Sequence, residues 1–149
     1  MPDLAGPTVW RRPPVTSAPV IVSLPISDRA TSYRFYRDGL GLDAVGELAD
    51  DGIPEPLQFV VNDGLRLMLI PTGGFSWVIG RHEVAPRGQS ECLLNLGVAA
   101  PTEVDAFVER ARAAGAEIIT ETADQPWAYA GVFADPDGHL WMVSADSGS

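Results

Sequence analysis

The chain carries one strand-and-helix plan twice, and an internal repeat of this kind limits the fold more than any other feature it has. In the first copy, residues 20–26 form a short β-branched run, and Ser27-Asp28 opens a helix as cap and first-turn acid. Ser32, Phe35, Tyr36 and Leu40 then make a helical stripe that Gly39 and Gly41 bring to a stop. A strand is expected near residues 42–48. Two more, at 57–62 and 65–70, are joined through the hairpin signal Asn62-Asp63-Gly64. In the second copy a strand at 92–98 precedes a helix beginning at Pro101-Thr102, whose stripe is Val104, Phe107, Val108, Ala111 and Ala114 before Gly115. Strands at 116–120 and 127–134 follow, and Asp135-Pro136-Asp137-Gly138 turns the chain into a last strand at 140–144. Each copy reads βαβββ. The fold class is therefore α+β: one domain, residues 20–149, built from two tandem modules at 20–71 and 91–144. Residues 72–90, rich in Gly and Arg, are either a connector or a lid. Residues 1–19 read as a loosely ordered arm, in which Trp10 is the residue able to pin it to the body or to a second subunit.

The repeat also assigns faces, because successive side chains of a strand point to opposite sides. Setting residues 63–69 over 137–143 matches the two turns and puts Met68 at the position of Met142. Val22, Leu24 and Ile26 then cover the first helix, leaving Ile21, Ser23 and Pro25 on the other face. Leu94, Leu96 and Val98 do the same in the second module, leaving Leu93, Asn95 and Gly97. The face away from the helices is where a ligand has room.

Composition narrows the chemistry. Ten basic residues, all arginine, against twenty acidic ones leave a formal charge of −10. That argues against nucleic acid or anionic lipid as a partner, since both are held largely by basic residues. Without lysine there is no Schiff base or phosphate-loop cation of the usual kind. A single cysteine, Cys92, excludes an internal disulfide and a cysteine-based zinc cluster. Two histidines, His82 and His139, leave a His-rich metal site short of ligands. With no apolar run resembling a signal peptide or a membrane span, the expectation is a soluble, cytoplasmic protein with no membrane partner.

The segments Leu24-Pro-Ile-Ser-Asp28, Phe35-Tyr-Arg-Asp-Gly-Leu-Gly-Leu42, Val104 through Gly115 and Phe133-Ala-Asp-Pro-Asp-Gly-His-Leu-Trp-Met-Val143 occur in an order that resembles the vicinal oxygen chelate superfamily, the glyoxalase, bleomycin-resistance and extradiol-dioxygenase fold. The resemblance spans about residues 20–144. It implies two βαβββ modules curling into an open, barrel-like concave sheet with helices outside, and homodimers with cavities near the subunit boundary. In metal-dependent members each module supplies ligands near the start of its first strand and in its last strand. The matching positions here are Ile21, Met68, Leu93 and Met142, none of which offers oxygen or nitrogen to a divalent ion. A register slip of one residue adds only Cys92 as a ligand. No metal and no cofactor is expected.

Other residues are weighed against plain structural roles. His139, placed after the turn and on the face opposite Met142, reads as a structural residue, and His82 as a solvated loop residue unless the connector folds over the cavity. Cys92 at a strand start reads as a small hydrophobe rather than a nucleophile. Asp50-Asp51 and Asp135/Asp137 read as turn residues. Arg66 shares the face of Met68, so its guanidinium must reach water, a carboxylate or an anionic ligand. Gln58, Ser23 and Asn95 are the other polar groups placed on the ligand face. Met68 and Met142, facing each other across the repeat, would make an adaptable apolar floor, and Trp77, Trp127, Tyr129 and Phe75 would rim it.

The expectation is a metal-free protein that binds or sequesters a small aromatic or amphipathic molecule by occlusion. Ile21, Met68, Leu93 and Met142 give apolar contact, Arg66, Asn95 and Gln58 orient the ligand, and Trp77 and Trp127 cover it. The alternatives are a glyoxalase-like lyase, isomerase or dioxygenase with an atypical or metal-independent site, and an interaction subunit whose cavity is filled by its own side chains.

Overall fold

A computed structural model describes residues 12–80 and 82–146. Most of the expected N-terminal arm, including Trp10, lies outside the described residues. Among the described residues eight strands and two helices follow the repeated plan. In the first module β1 (Val20–Ile26) is followed by α1 (Arg29–Tyr33), which continues into a π-helical turn at Arg34–Gly39, and then by β2 (Asp43–Val45), β3 (Leu57–Asn62) and β4 (Leu65–Pro71). A helix the sequence reading lacked, α2 (Thr72–Val78), opens the connector. The second module holds β5 (Leu93–Gly97), α3 (Pro101–Ala113), β6 (Glu117–Asp124), β7 (Tyr129–Ala134) and β8 (Leu140–Ala145). Each module forms an open four-stranded sheet with the same order, β1-β4-β3-β2 and β5-β8-β7-β6, the first strand running parallel to the last.

Local chemistry accounts for the boundaries. The Asp28 side chain caps α1 by accepting from Thr31 N at 2.9 Å, so Asp28 is the cap itself rather than a first-turn acid. The first helix ends with Leu40 N donating to Phe35 O, a wide turn that Gly41 closes at φ +78°. At the hairpin, Gly64 N donates to Asn62 Oδ1 at 2.9 Å, and a register shift near Val60 absorbs the turn. The strand expected at 42–48 is shorter, because residues 46–56 curl away as a loop. Arg29 clamps that loop through Asp51, Glu55 and the carbonyls of Ile53 and Pro54, which gives Asp51 more than a turn role.

One core serves both modules. The Tyr36 ring lies 5.7 Å from Phe59 in β3 and 6.0 Å from Trp141 in β8, and Phe35 meets Phe133 in β7. Sheets joined edge to edge through β1 and β5 would separate β3 from β8 by roughly 19 Å, from a strand spacing of ~4.8 Å. Both sheets therefore present their helix-bearing faces to each other, with the first helix between them. The faces away from the helices look to opposite sides of the molecule. Met68 and Met142 consequently hold equivalent places in the two sheets but do not meet within one chain, correcting the shared floor expected from the repeat.

The inner faces are joined by a buried polar chain. Trp141 Nε1 donates to Tyr36 Oη at 3.0 Å, and the Tyr36 hydroxyl donates to Asp135 Oδ2 at 2.5 Å. Asp135 Oδ1 accepts from the backbone N–H of Asp137 and of His139, each at 2.9 Å. Burial, seconded by the Asp135 charge, drives the Tyr36 hydroxyl well above its ordinary value, which keeps it a donor. Burial also raises the Asp135 carboxyl, against the lowering effects of the Tyr36 hydroxyl, His139 and the Asp137 N–H. Asp135 and Asp137 are thus turn residues that also bind the other module.

Two outcomes follow for stability. A carboxyl raised above its ordinary 3.8 in the folded state contributes stability that is complete below 3.8 and lost as pH rises through its folded value. The stability of the native chain relative to Asp135→Asn should therefore decline as pH rises above 3.8 in urea titrations; a difference that grows with pH would refute the assignment. Gly39 lies where an added Cβ would collide with Ala114 Cβ at the end of α3. Gly39→Ala should cost ~1–3 kcal/mol as overpacking, and Gly39→Ala with Ala114→Gly should recover most of it.

Candidate functional site

On the outer face of the first sheet, register brings together the residues expected there. Ile21 stands beside Arg66, Ser23 beside Met68, and Met68 opposite Gln58. Arg66 Nη1 donates to Gln58 Oε1 at 3.2 Å, and Gln58 is buried at 9% exposure next to the β2–β3 loop. Among the described residues no carboxylate forms an ion pair with Arg66. The result is a half-buried cation with one neutral partner on an otherwise apolar surface, an arrangement able to take an anionic or carbonyl group of a ligand.

The second sheet repeats the plan with less charge. Leu93 stands beside Leu140, Asn95 beside Met142, and Ser144 Oγ donates to Asn95 Oδ1 at 3.1 Å. Ile21 and Leu93, equivalent in the two modules, remain 47% and 48% exposed. Trp77 on α2 and Trp127 in the β6–β7 loop are more exposed still, at 82% and 65%. Tyr129 departs from expectation. It shares the inner face with Phe133, packs against the core, and donates its hydroxyl to Asp105 of α3 at 2.6 Å. Asp105 raises the Tyr129 hydroxyl above its ordinary value, so Tyr129 belongs to the helix-covered side rather than to a ligand surface.

The four positions that the resemblance implies for a divalent metal do not suit one in this geometry. Ile21 and Met68 lie on adjacent strands of one face, and Leu93 and Met142 on the corresponding strands of the other. Hydrocarbon and thioether side chains at all four do not suit a hard or borderline cation. Among the described residues no three of His, Cys, Asp and Glu gather into a ligating group.

A separate cleft of about 490 Å³ opens at the side of the sandwich, between the edge strands β1 and β5 and under residues 82–92, which lead from the connector into β5. Of the residues expected at a ligand site, Ser23 and the rim aromatic Phe75 line it. Phe75 and Ile79 contribute an apolar wall, joined by Leu24, Leu94 and Leu140. His139 reaches across at one end, donating Nε2–H to Pro25 O at 2.6 Å, while Ser27 donates its N–H and Oγ to Asp137 Oδ1 at 2.9 and 2.8 Å. His139 therefore has the structural role expected of it, extended to the joint between modules. His82 is exposed, with Nδ1–H donating to Ile79 O at 2.8 Å, and it too lines the cleft. Cys92 is exposed and precedes β5, correcting its reading as a strand hydrophobe. Sequence reasoning missed this cleft because α2 and the connector build it. The glycine-rich character of residues 72–90 was visible, whereas the helix Thr72–Val78, with Gly73 and Gly74 in its first turn, runs against propensity.

Comparison with known proteins fits this geometry. Among solved structures, a glyoxalase-related enzyme from Fulvimarina pelagi shares 29% identity over 85% of this chain and 86% of its own, with a TM-score of 0.72. A glyoxalase/bleomycin resistance protein/dioxygenase from Nocardioides is 24% identical over 95% of this chain and 89% of its own, with a TM-score of 0.68. TnmS3, an antibiotic binding protein from Streptomyces sp. CB03234, is 24% identical over 89% of this chain and 98% of its own, with a TM-score of 0.62. No curated protein matches the chain significantly. The family model of the Glyoxalase/Bleomycin resistance protein/Dioxygenase superfamily matches residues 19–143, and this chain belongs to that superfamily.

Proposed function

We propose that the chain binds a small aromatic or amphipathic molecule by occlusion on the outer faces of its sheets, with no bond made or broken, and that a second copy closes the cavity. The observation that carries this reading is the pair of outer faces: apolar at the four positions where the fold holds a metal, and furnished with a few orienting polar groups. Ile21, Met68, Leu93 and Met142 supply contact, Arg66 with Gln58 and Asn95 supply direction, and Trp77 and Trp127 supply aromatic cover. Occlusion needs no cofactor. The half-exposed Ile21 and Leu93 and the exposed tryptophans are apolar surface of the sort a partner covers. A homodimer hiding roughly 800 Å² per copy would suffice to hold. Among the described residues no helix is long and apolar enough to cross a membrane, and the charge of −10 disfavours nucleic acid. TnmS3 is an antibiotic binding protein of this fold in Streptomyces sp. CB03234.

An enzyme is the second reading, favoured by the Fulvimarina pelagi neighbour described as a glyoxalase-related enzyme. Metal content separates the two. Titration with Zn²⁺, Mn²⁺ or Ni²⁺ should give no stoichiometric site by calorimetry, and purified protein should carry none by elemental analysis; one tight equivalent together with turnover of a thiol adduct would establish the enzyme.

A thermal-shift screen of aromatic drugs and glutathione adducts should produce a hit from the drug set, since a ligand at ~100 times its dissociation constant adds ~2.7 kcal/mol. For a hit bearing a carboxylate or carbonyl, Arg66→Ala should weaken binding about tenfold or more, whereas Tyr129→Phe should leave it unchanged. Light scattering on an eluting peak should return the mass of two chains; a monomer that still binds would remove the second copy from the proposal.

A further inference from the structure

We propose that the cleft between β1 and β5 is a second ligand site, selective for a small organic cation with an aromatic or branched apolar body. Its volume of about 490 Å³ falls within the range of sites that bury small molecules. The wall formed by Phe75, Ile79, Leu94 and Leu140 is apolar and comes from three separate parts of the chain: α2 with the residue after it, β5 and β8. Charge selects what enters. Among the described residues, three carboxylates, Glu83, Glu91 and Asp137, line the cleft against one arginine, Arg87. Arg87 is engaged at the turn, where Nη1 donates to Pro136 O at 2.5 Å. Asp137 is likewise engaged by Ser27, whereas among the described residues Glu83 and Glu91 form no ion pair. Both belong to the segment between α2 and β5 that roofs the cleft. An ammonium or quaternary ammonium group meets these carboxylates while its apolar body lies against Phe75 and Leu140, and Phe75 adds a π-face for the cation. The two histidines of the lining are held at its margins, His139 on Pro25 O and His82 on Ile79 O.

This site is distinct from the outer faces, with which it shares only Ser23, and it selects the opposite charge from Arg66. Full-length protein labelled with ¹⁵N would be titrated with benzyltrimethylammonium, using phenylacetate as the charge-reversed control. Saturable shifts are expected at the amides of Gly88, Gln89, Glu91 and Gly138 with the cation and not with phenylacetate. The double variant Glu83→Gln/Glu91→Gln should weaken cation binding about tenfold. Glu83→Gln alone should fall between the double variant and the native chain. Arg66→Ala should leave cation binding unchanged, so failure here and failure of the outer-face reading register separately. Absent or non-saturating shifts at those amides, equal response to phenylacetate, or unaltered affinity in the double variant would each overturn the proposal.

Discussion

Everything that distinguishes this chain's architecture depends on one buried contact, the Tyr36 hydroxyl on the Asp135 carboxyl. A carboxyl at 2% exposure is costly unless its oxygens are satisfied, and here both are. One receives Tyr36 from the other module, and the other receives two backbone N–H groups of its own turn. The turn is thereby locked in shape while it is locked to the first helix. Trp141 extends the chain on the tyrosine side, so a helix in one module and a turn and a strand of the other share a single polar thread through an apolar core. Apolar packing alone allows sliding, whereas a buried hydrogen-bonded chain has one satisfied register.

That lock decides where ligands have room. With the first helix held between the sheets, the outer faces are turned away from each other, and neither can form an enclosed cavity from one chain. The same lock brings the end of β1 against the β7–β8 turn, where His139 and Asp137 hold Pro25 and Ser27. The edges of β1 and β5 then stand apart under the connector, and the cleft is the space between them. Placement of the modules thus leaves two open outer faces and one cleft built within the chain.

Much of this was legible in the sequence. Element order, the hairpin at Asn62–Gly64, the helical stripes and the assignment of Ile21, Arg66, Met68, Leu93 and Met142 to outer faces all followed from local periodicity, because burial on one side of a strand or helix dictates the pattern. The packing of one module on the other was not legible. Periodicity says that Tyr36 and Trp141 are buried but not that they bury each other, and a separation of 99 positions between Tyr36 and Asp135 carries no local signal. Tyr129 is a different case. Counting back by two from Phe133 through Gly131 places it on the inner face, so strand alternation held the answer, and the hydroxyl on Asp105 confirms it. The helix Thr72–Val78 was illegible for a third reason: paired glycines in its first turn oppose it, and contacts with β1 and β4 hold it in place.

The absence of lysine and the scarcity of histidine acquire a location in this structure. Fixed positive charge on side chains comes from arginine alone, and Arg66 is the one placed among the apolar residues of an outer face without a carboxylate to neutralise it among the described residues. The acidic excess, by contrast, extends into the cleft through Glu83 and Glu91. A guanidinium beside an amide favours a carbonyl or an anion, and two carboxylates over an aromatic wall favour a cation. Were both proposed sites to bind, their opposite signs would keep them from competing for a single ligand. A zwitterionic molecule would have to span from one to the other, and Ser23, the only residue common to both, lies at the boundary it would cross.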